Sequence, residues 1–281
     1  MPDNTYFAGV DVGSTMTKVA IMNQGLVASV IGPTGAEHRH LAYKVMEQAL
    51  GKAGISFELV SFVVATGYGR INVPFADKQI TEISCHAKGV CGLFPQAKTI
   101  IDIGGQDSKG IKVRDGKVID FVMNDKCAAG TGRFLEVIAE ALGVRLEEMG
   151  PKSLRARGLV KVSNTCTVFA EQEVVSHLAE GVPTEDIIAG LHAAIANRVC
   201  NMAERLRIEP EVVVTGGGAK NAGLVKAIQD RLKLPVSVPP EPLLTGAIGA
   251  ALHGRELVAR GVAATAERKL EQVTFFGSDA R

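Results

Sequence analysis

Short apolar runs alternate with longer amphipathic segments along most of the chain, and each kind of pattern predicts its own element. Runs rich in β-branched residues predict strands at 7–12, 18–22, 26–31, 59–65, 98–103, 109–113, 118–122, 211–215 and 236–238. Apolar residues that recur every three or four positions predict helices at 40–53, 80–93, 131–142, 168–180, 184–206, 222–232 and 245–260. Strands that alternate with helices in this way indicate an α/β fold.

One stretch of this pattern occurs twice in the chain. Residues 11–18, with the sequence DVGSTMTK, line up with residues 102–109, with the sequence DIGGQDSK. The hairpin turns at 23–25 and 114–116 coincide in the same alignment. The spacing is far longer than that of a solenoid repeat, so we expect two related lobes.

The repeat also suggests where the two lobes divide. We expect an N-terminal lobe over residues 1–96 that carries the first copy. The second lobe would cover residues 97–281, with a closing helix at 245–260 that packs back on the first lobe.

Each repeated turn has the composition of a phosphate-binding loop. In both copies a strand ends in Asp-x-Gly, so backbone N–H groups lie beside a carboxylate with no side chain in the way. The hydroxyl groups of Ser14 and Thr15 add donors, and Lys18 would neutralise phosphate charge. Because a carboxylate repels phosphate, Asp11 and Asp102 are expected to bind a hydrated Mg²⁺ ion. Two ordinary β-turns are the alternative, but the matched pair favours phosphate binding.

A third glycine cluster follows the predicted strand at 211–215. Its sequence is Gly-Gly-Gly-Ala-Lys-Asn at 216–221, and it leads into a predicted helix. It fits neither the Rossmann fingerprint nor the P-loop pattern. A glycine turn at a helix N-terminus suits a flat ligand such as a nucleoside. The alternative is a tight connection between a strand and a helix.

Composition and charge exclude several classes of protein. The 281 residues carry a formal net charge of +1, aromatic residues make up 5%, and tryptophan is absent. A nucleic-acid-binding surface is therefore not expected. No apolar run reaches the roughly 20 residues that span a bilayer, and no signal peptide is evident. We expect a cytoplasmic protein with no membrane contact.

The cysteine content changes this picture. The chain has five cysteines, an odd number, and is too large to need disulfide bonds for stability. In a reducing compartment, cysteines serve metal or redox chemistry more often than disulfides. The alternative for any one of them is a small buried apolar residue.

Several motifs of the chain resemble those of a known family. The turns at 11–18, 102–109 and 215–221 resemble the nucleotide-binding fold of acetate and sugar kinases, Hsp70 and actin. That fold implies duplicated ribonuclease H-like lobes with a nucleotide cleft between them. The segments 123–134 (MNDKCAAGTGRF) and 165–171 (TCTVFAE) are similar to the activators of 2-hydroxyacyl-CoA dehydratases, within the BadF/BadG/BcrA/BcrD ATPases. The segments 65–70 and 82–87 also resemble that family.

The resemblance implies an activity and its cofactors. A homodimer would carry one [4Fe–4S] cluster, bind ATP or ADP with Mg²⁺, and use ATP hydrolysis to deliver a low-potential electron. The acceptor would be a partner iron–sulfur dehydratase or reductase, and reduced flavodoxin or ferredoxin would be the donor.

The same resemblance implies the site residues. The nucleotide would contact Val12, Gly13, Ser14, Thr15, Lys18, Gly104, Gly105, Gly216, Gly217, Gly218, Ala219, Lys220 and Asn221. The catalytic residues would be Asp11, Asp102, Gln106 and Asp107. Either Gln106 or Asp107 would orient the attacking water.

Cys127 and Cys166 are the expected cluster ligands. A [4Fe–4S] cluster takes four thiolates, and a two-fold axis doubles two cysteines to four. Each of the two precedes a predicted helix, whose free N–H groups favour an anionic thiolate cluster. The other three cysteines are expected to be structural: Cys85, Cys91 and Cys200.

Other functions fit some of these features. The partner could be a double-cubane cluster protein or an aromatic-ring acyl-CoA reductase. From another class, a small-molecule kinase of the same fold would share the phosphate turns but would not need the cysteine motifs. A nucleotide sensor without catalysis is a third alternative.

Three remaining features carry weaker expectations. Glu171 and Glu173 are either solvated or serve to position water or tune the cluster. The basic run 152–157 is either a solvated loop or a docking rim for an acidic partner. The C-terminal residues 263–281 are expected to form a helix and a tail, with no function assigned.

Overall fold

The computed structural model describes residues 5–268 and residue 270. The chain divides into two compact units, one of residues 1–93 with 243–281 and the other of residues 94–242. Among the described residues, no helix is both long and apolar enough to cross a bilayer.

The first unit is a five-stranded mixed sheet with helices on both faces. Its strands are β1 (Tyr6–Val12), β2 (Met16–Met22), β3 (Leu26–Pro33), β4 (Val60–Thr66) and β5 (Lys78–Gln79), in the order β3-β2-β1-β4-β5. Its helices are α1 (His38–Ala53), α2 (Glu82–Leu93) and α8 (Thr245–Ala259). Because side chains alternate along a strand, Ala8 and Val10 pack in the core on the α1 side. Phe7 joins the core that α8 covers.

The second unit repeats this arrangement of strands. Its strands are β6 (Thr99–Ile103), β7 (Ser108–Arg114), β8 (Lys117–Asn124), β9 (Val212–Thr215) and β10 (Val236–Ser237), in the order β10-β9-β6-β7-β8. Both sheets begin with an antiparallel meander and continue with a parallel strand beside the first one. The two related lobes expected from the repeat are therefore confirmed.

The helices of the second unit lie in the chain between β8 and β10. They are α3 (Gly132–Ala141), α4 (Leu146–Ser153), α5 (Thr167–Ala179), α6 (Thr184–Glu204) and α7 (Ala222–Leu232). One apolar core joins all five helices to strands β6 and β9. Helix α4 was not predicted from the sequence, because the pair Gly150-Pro151 has the composition of a break.

The boundaries of the two units differ from those of the predicted lobes, 1–96 and 97–281. The first unit ends its N-terminal part at Leu93 and resumes at Leu243, so it includes α8. This helix packs on β1, β2 and β4. A side chain at Gly9 would collide with the backbone of Ala247, so glycine on β1 permits this close approach.

The chain after α8 also differs from the prediction. The described residues 263–268 are not helical, and the rest of the predicted helix and tail, apart from Leu270, lies outside the described residues. Instead this segment contacts the rest of the first unit through Asp77. The Asp77 carboxylate accepts hydrogen bonds from the backbone of Thr265 and Ala266 and from the side chain of Arg268.

Candidate functional site

Asp11 and Lys18 lie opposite each other where strands β1 and β2 meet their turn. Lys18 Nζ is 2.9 Å from Asp11 Oδ2, and the two side chains are only 11% and 4% exposed. The turn itself is closed by a hydrogen bond from the Gly13 N–H to the Met16 carbonyl oxygen, 3.1 Å long. A Cβ on residue 13 would lie 3.0 Å from Lys18 Nζ, so glycine lets the ammonium group sit directly beneath the turn.

The remaining residues predicted for the first turn divide into two groups. Ser14 and Thr15 are partly exposed on the turn. Val12 is fully buried against Gly69, and its carbonyl oxygen accepts the Gly69 N–H over 2.9 Å. Its side chain is therefore part of the core rather than of a ligand surface.

The second turn has the same geometry in the second unit. Asp102 pairs in register with Lys109, whose Nζ lies 3.6 Å from Asp102 and 2.6 Å from Asp107. The Gly104 N–H donates to the Asp107 carbonyl oxygen over 2.9 Å, as Gly13 does to Met16. Lys109 was not among the predicted site residues, although its place in the repeat corresponds to that of Lys18.

Gln106 and Asp107 differ sharply in their surroundings. Gln106 is exposed on the turn. Asp107 is 6% exposed, and its carboxylate accepts the Lys109 ammonium. The structure therefore leaves Gln106, rather than Asp107, with a side chain that is accessible to a water molecule.

A further repeat lies on the strands beside the two aspartates. Thr66 lies opposite Asp11 in the sheet, and Thr215 lies opposite Asp102. Each threonine precedes a glycine in the left-handed region, Gly67 at φ 85° and Gly216 at φ 80°. A Cβ on these glycines would lie 2.6 Å from Asp11 Oδ1 and 2.8 Å from Asp102 Oδ1.

The two segments continue to correspond two residues later. A Cβ on Gly69 would collide with Val12, and one on Gly218 would collide with Ile103. Both Thr-Gly-x-Gly segments thus wrap closely around the aspartate-bearing strand. The segment 65–70 was recognised from the sequence as a family motif, but its correspondence to 215–218 was missed. The number of residues between the Asp-x-Gly turn and the Thr-Gly-x-Gly segment differs between the two units.

The predicted nucleoside turn at 216–221 is only partly available to a ligand. Gly217 and Lys220 are exposed, whereas Gly216, Gly218 and Ala219 are buried. The ammonium group of Lys220 pairs with Glu241 at 3.0 Å. Close packing accounts for two of the three glycines, and Gly217 is the one that faces solvent.

Asn221 is occupied by contacts within the second unit. Its Oδ1 accepts the Leu224 N–H over 3.0 Å and so caps helix α7. Its Nδ2 therefore donates to His192 Nε2, 3.0 Å away, and the proton on His192 Nδ1 faces the Ser153 hydroxyl at 2.8 Å. Burial lowers the pKa of His192 to about 3, so the imidazole is neutral in this network.

The structure brings the two cysteine motifs together. Cys127 Sγ lies 3.8 Å from the carbonyl oxygen of Thr165, the residue directly before Cys166. Both cysteines are partly exposed. Cys166 is the N-cap residue of α5, as the sequence suggested, but Cys127 lies five positions before α3 begins at Gly132.

Polar contacts hold both cysteine segments in place. Asn124 Nδ2 donates to the carbonyl oxygens of Cys127 and Ala129 over 2.8 and 3.1 Å. Glu173 accepts the Ser163 N–H over 2.6 Å, so this carboxylate is a structural contact of the second segment. Arg198 donates to the Asn164 carbonyl oxygen over 2.8 Å, and its side chain packs beneath Gly130. One side chain of α6 thereby contacts both segments.

The other three cysteines have different surroundings. Cys85 and Cys200 are fully buried, and burial raises the pKa of each thiol to about 12. Cys91 is partly exposed, like Cys127 and Cys166, and burial raises its pKa as well. The full burial of Cys85 and Cys200 fits the expected structural role of these two residues.

The donor set fits half of a four-thiolate site. Over residues 5–268 and 270, no group of three or more His, Cys, Asp or Glu side chains could hold a metal ion. Two partly exposed thiols at a common edge, one of them at a helix N-terminus, suit a cluster that a second chain completes.

Comparison with known proteins agrees with these features. The model of the BadF/BadG/BcrA/BcrD ATPase family matches residues 8–254. The activator of lactoyl-CoA dehydratase from Anaerotignum propionicum is 49% identical over 254 residues, which cover 89% of this chain and 98% of that protein.

Two solved structures are similar over nearly the whole chain. Component A of (R)-2-hydroxyglutaryl-CoA dehydratase from Acidaminococcus fermentans superposes with a TM-score of 0.88 at 42% identity, covering 91% of this chain and 99% of that one. The activator of 2-hydroxyisocaproyl-CoA dehydratase from Clostridium difficile, solved with bound ADPNP, has a TM-score of 0.86 at 44% identity and covers 93% and 100%. A glucokinase of the ROK family from Streptomyces griseus, at 14% identity and a TM-score of 0.55, shares the fold alone. The fold is that of the sugar kinases, Hsp70 and actin, as expected.

Proposed function

This chain belongs to the BadF/BadG/BcrA/BcrD ATPase family, and we propose that it is an ATP-hydrolysing activator that delivers a low-potential electron to a 2-hydroxyacyl-CoA dehydratase. In this reaction the electron donor loses one electron and the partner gains it, while ATP and water give ADP and phosphate. A dehydratase is preferred to a ring reductase or a double-cubane protein because three relatives, 43% to 49% identical to this chain, bear the names of dehydratase activators.

The proximity of Cys127 to Thr165 is the observation that carries the proposal. A simple ATPase or a kinase has no need for two partly exposed thiols that come from separate, contacting segments. Here the Cys127 thiol lies against Thr165, the residue that precedes Cys166, and Cys166 is the N-cap of α5. In a homodimer, two such pairs would hold one [4Fe–4S] cluster, which supplies a one-electron carrier of low potential.

The nucleotide would bind through backbone amides and a few polar side chains. We propose that the N–H groups of Gly105 and Gln106 bind phosphate oxygens, together with the Ser14 and Thr15 hydroxyl groups. Gly13, whose N–H donates to the Met16 carbonyl oxygen, would shape the first turn. Gly217 would lie against the adenosine. The other expected contacts would shape these turns and would not bind the nucleotide through their side chains. They are Val12, Gly104, Gly216, Gly218, Ala219, Lys220 and Asn221.

Four charged side chains would respond to the nucleotide. Asp11 and Asp102 would hold a hydrated Mg²⁺ ion, which neutralises phosphate charge. Lys18 and Lys109 are paired with Asp11 and Asp107. They would be shared with phosphate when it binds. Exposed Gln106 would orient the attacking water.

Metal analysis after anaerobic purification tests the proposal. We expect about four iron and four sulfide ions per two chains, and an EPR signal after reduction. Cys127→Ser and Cys166→Ser should each lose the cluster, whereas Cys91→Ser, a matched change at a thiol outside the site, should keep it. The electron donor in the activity assay is reduced flavodoxin or ferredoxin, and the acceptor is a purified 2-hydroxyacyl-CoA dehydratase.

Two outcomes would contradict the proposal. One is a Cys127→Ser protein that still forms a dimer with a full cluster and normal electron delivery. The other is an iron-free wild-type protein that phosphorylates a small molecule, which would favour the kinase alternative.

A further inference from the structure

The second phosphate turn is hydrogen-bonded directly to the start of helix α3. The carbonyl oxygen of Gly104 accepts the Gly132 N–H, and that of Gly105 accepts the Arg133 N–H, each over 2.8 Å. Gly132 and Arg133 are the first two residues of α3. Their N–H groups have no partner within the helix, so the turn supplies partners that α3 itself lacks.

Peptide geometry makes this contact two-sided. In a planar trans peptide, the carbonyl oxygen of one residue and the N–H of the next point in opposite directions. Since the Gly104 and Gly105 carbonyl groups point at α3, the N–H groups of Gly105 and Gln106 point away from it. These are the amides that the turn can offer to phosphate. The same two peptide planes therefore have α3 on one side and the phosphate position on the other.

The start of α3 is in turn tied to the Cys127 segment. The Thr131 hydroxyl and the Thr131 N–H both donate to the Ala128 carbonyl oxygen, over 2.7 and 3.0 Å. Asn124 holds the carbonyl oxygens of Cys127 and Ala129. Hydrogen bonds, joined by short stretches of backbone, thus connect the turn with the first cysteine.

The first unit serves as an internal comparison. In its corresponding turn, the residues equivalent to Gly104 and Gly105 are Gly13 and Ser14. Among the described residues, no backbone N–H, and so no helix N-terminus, donates to the carbonyl oxygens of these two residues. The connection to a helix is found in the copy of the turn whose unit carries the cysteines.

We propose that Gly104, Gly105 and Gly132 form a relay that transmits the state of the bound nucleotide to the Cys127 segment. A rotation of the two peptide planes when phosphate arrives or leaves would lengthen or shorten the hydrogen bonds to α3 and so move the segment before it. The relay rests on the proposed function for its purpose, but its mechanical part requires only that nucleotide binds at the turn.

Gly132 is the positioning residue of this relay. A Cβ at that position would lie 3.1 Å from the Gly104 carbonyl oxygen and 3.3 Å from Gly105 Cα, closer than most side chains tolerate. Gly132→Ala would therefore separate the helix from the turn while leaving the amides on the phosphate side in place. Gly51→Ala is the matched control, because a Cβ on Gly51 in helix α1 meets nothing within 4 Å.

Hydrogen–deuterium exchange of the full-length protein tests the relay. The exchange rates with ADPNP and Mg²⁺ are compared with those with ADP and Mg²⁺. We expect the amides of residues 128–136 to exchange at rates that differ about fivefold or more between the two nucleotides in the wild type and in Gly51→Ala. In Gly132→Ala the ratio should fall to about one, while ADPNP still protects residues 102–109.

Every outcome bears on the relay. A nucleotide-dependent difference at 128–136 that survives in Gly132→Ala would overturn it, and so would wild-type protein in which ADPNP protects 102–109 without affecting 128–136. If Gly132→Ala fails to fold, Thr131→Val, which removes the hydroxyl contact to Ala128, tests the same path. A protein that contains no iron but shows the relay would disprove the electron-transfer function and leave the relay intact.

Discussion

Lys18 Nζ lies 2.9 Å from Asp11 Oδ2, and neither side chain is more than 11% exposed. The antiparallel register of β1 and β2 sets this pairing, since the two residues face each other across the hairpin. Removing one partner of a buried ion pair leaves an uncompensated charge, which costs about 3–5 kcal/mol. The pair is thus both a folding contact of the first unit and a candidate partner for phosphate and Mg²⁺.

We therefore predict that Lys18→Met lowers the free energy of unfolding by about 3 kcal/mol and weakens ATP binding. Urea unfolding and calorimetric titration with ADPNP measure the two effects. The double variant Asp11→Asn/Lys18→Met should recover most of the stability and none of the binding. Lys226→Met, which breaks an exposed pair with Asp230, should change the stability by less than about 1 kcal/mol. A double variant that binds ADPNP normally would argue against this role.

Gln106 and Asp107 should behave differently when they are changed. Gln106 is exposed, so Gln106→Ala should lower the kcat of ATP hydrolysis about a hundredfold with no change in thermal stability. Asp107 is paired with buried Lys109, so Asp107→Asn should lower stability as well as activity. Steady-state ATPase assays and thermal melts on the same samples separate the two. An active Gln106→Ala protein would return the water-orienting role to Asp107.

His192 should make the second unit sensitive to acid. Burial lowers the pKa of His192 to about 3, whereas in the unfolded chain it is near 6.5. Between these values the unfolded state binds more protons than the folded state, so stability falls as the pH drops below about 6.5. The slope is about 1.4 kcal/mol per pH unit for this one group.

Urea unfolding of the wild type and of His192→Asn between pH 4 and 7.5 measures this dependence. The variant should be less stable at pH 7.5, because it loses contacts to Ser153 and Asn221, but its stability should depend less on pH. Equal slopes for the two proteins would mean that His192 is not the responsible group.

Asp77 anchors the chain that follows helix α8. Burial opposes ionisation of its carboxyl group, but hydrogen bonds from Arg268 and from the backbone of Ala266, Val63 and Thr265 outweigh burial and lower the pKa. The side chain is 0% exposed and lies 2.7 Å from Arg268. We predict that Arg268→Met lowers the free energy of unfolding by about 3 kcal/mol.

Arg145→Met provides the comparison for this prediction. The Arg145 side chain is 71% exposed and pairs with exposed glutamates, so its loss should cost less than about 1 kcal/mol. The contribution of ionised Asp77 should be present near neutral pH and should be lost as the pH falls through its lowered pKa. Arg268→Met with wild-type stability at pH 7 would show that the segment does not bind through this pair.

Local pattern was enough to predict the parts of the protein that depend on neighbouring residues. The pattern of apolar residues predicted nine of the ten strands in the part of the chain that the structure describes. The one it missed there is β5, which has two residues, Lys78–Gln79. The Asp-x-Gly turns at 11–13 and 102–104 were recognised because the chemistry of a turn depends on a few consecutive residues. The repeat predicted two related sheets for the same reason, since each copy carries its own hairpin.

Contacts between distant segments decided the rest, and sequence spacing does not encode them directly. The folded sheets show that Gly67 and Gly216 each pass close to an aspartate on the neighbouring strand. The packing of α6 and α7 brings His192 within hydrogen-bond distance of Asn221.

The sequence by itself predicted the two Asp-x-Gly turns and the doubled α/β architecture, and it singled out Cys127 and Cys166 as the proposed cluster ligands. The tertiary structure decided that Cys127 lies beside Thr165 and that the Gly104 carbonyl group holds the start of α3. These relationships join residues that are 28 or more positions apart in the chain. They arise when buried apolar faces bring the elements together, and the backbone groups that then meet must find hydrogen-bond partners.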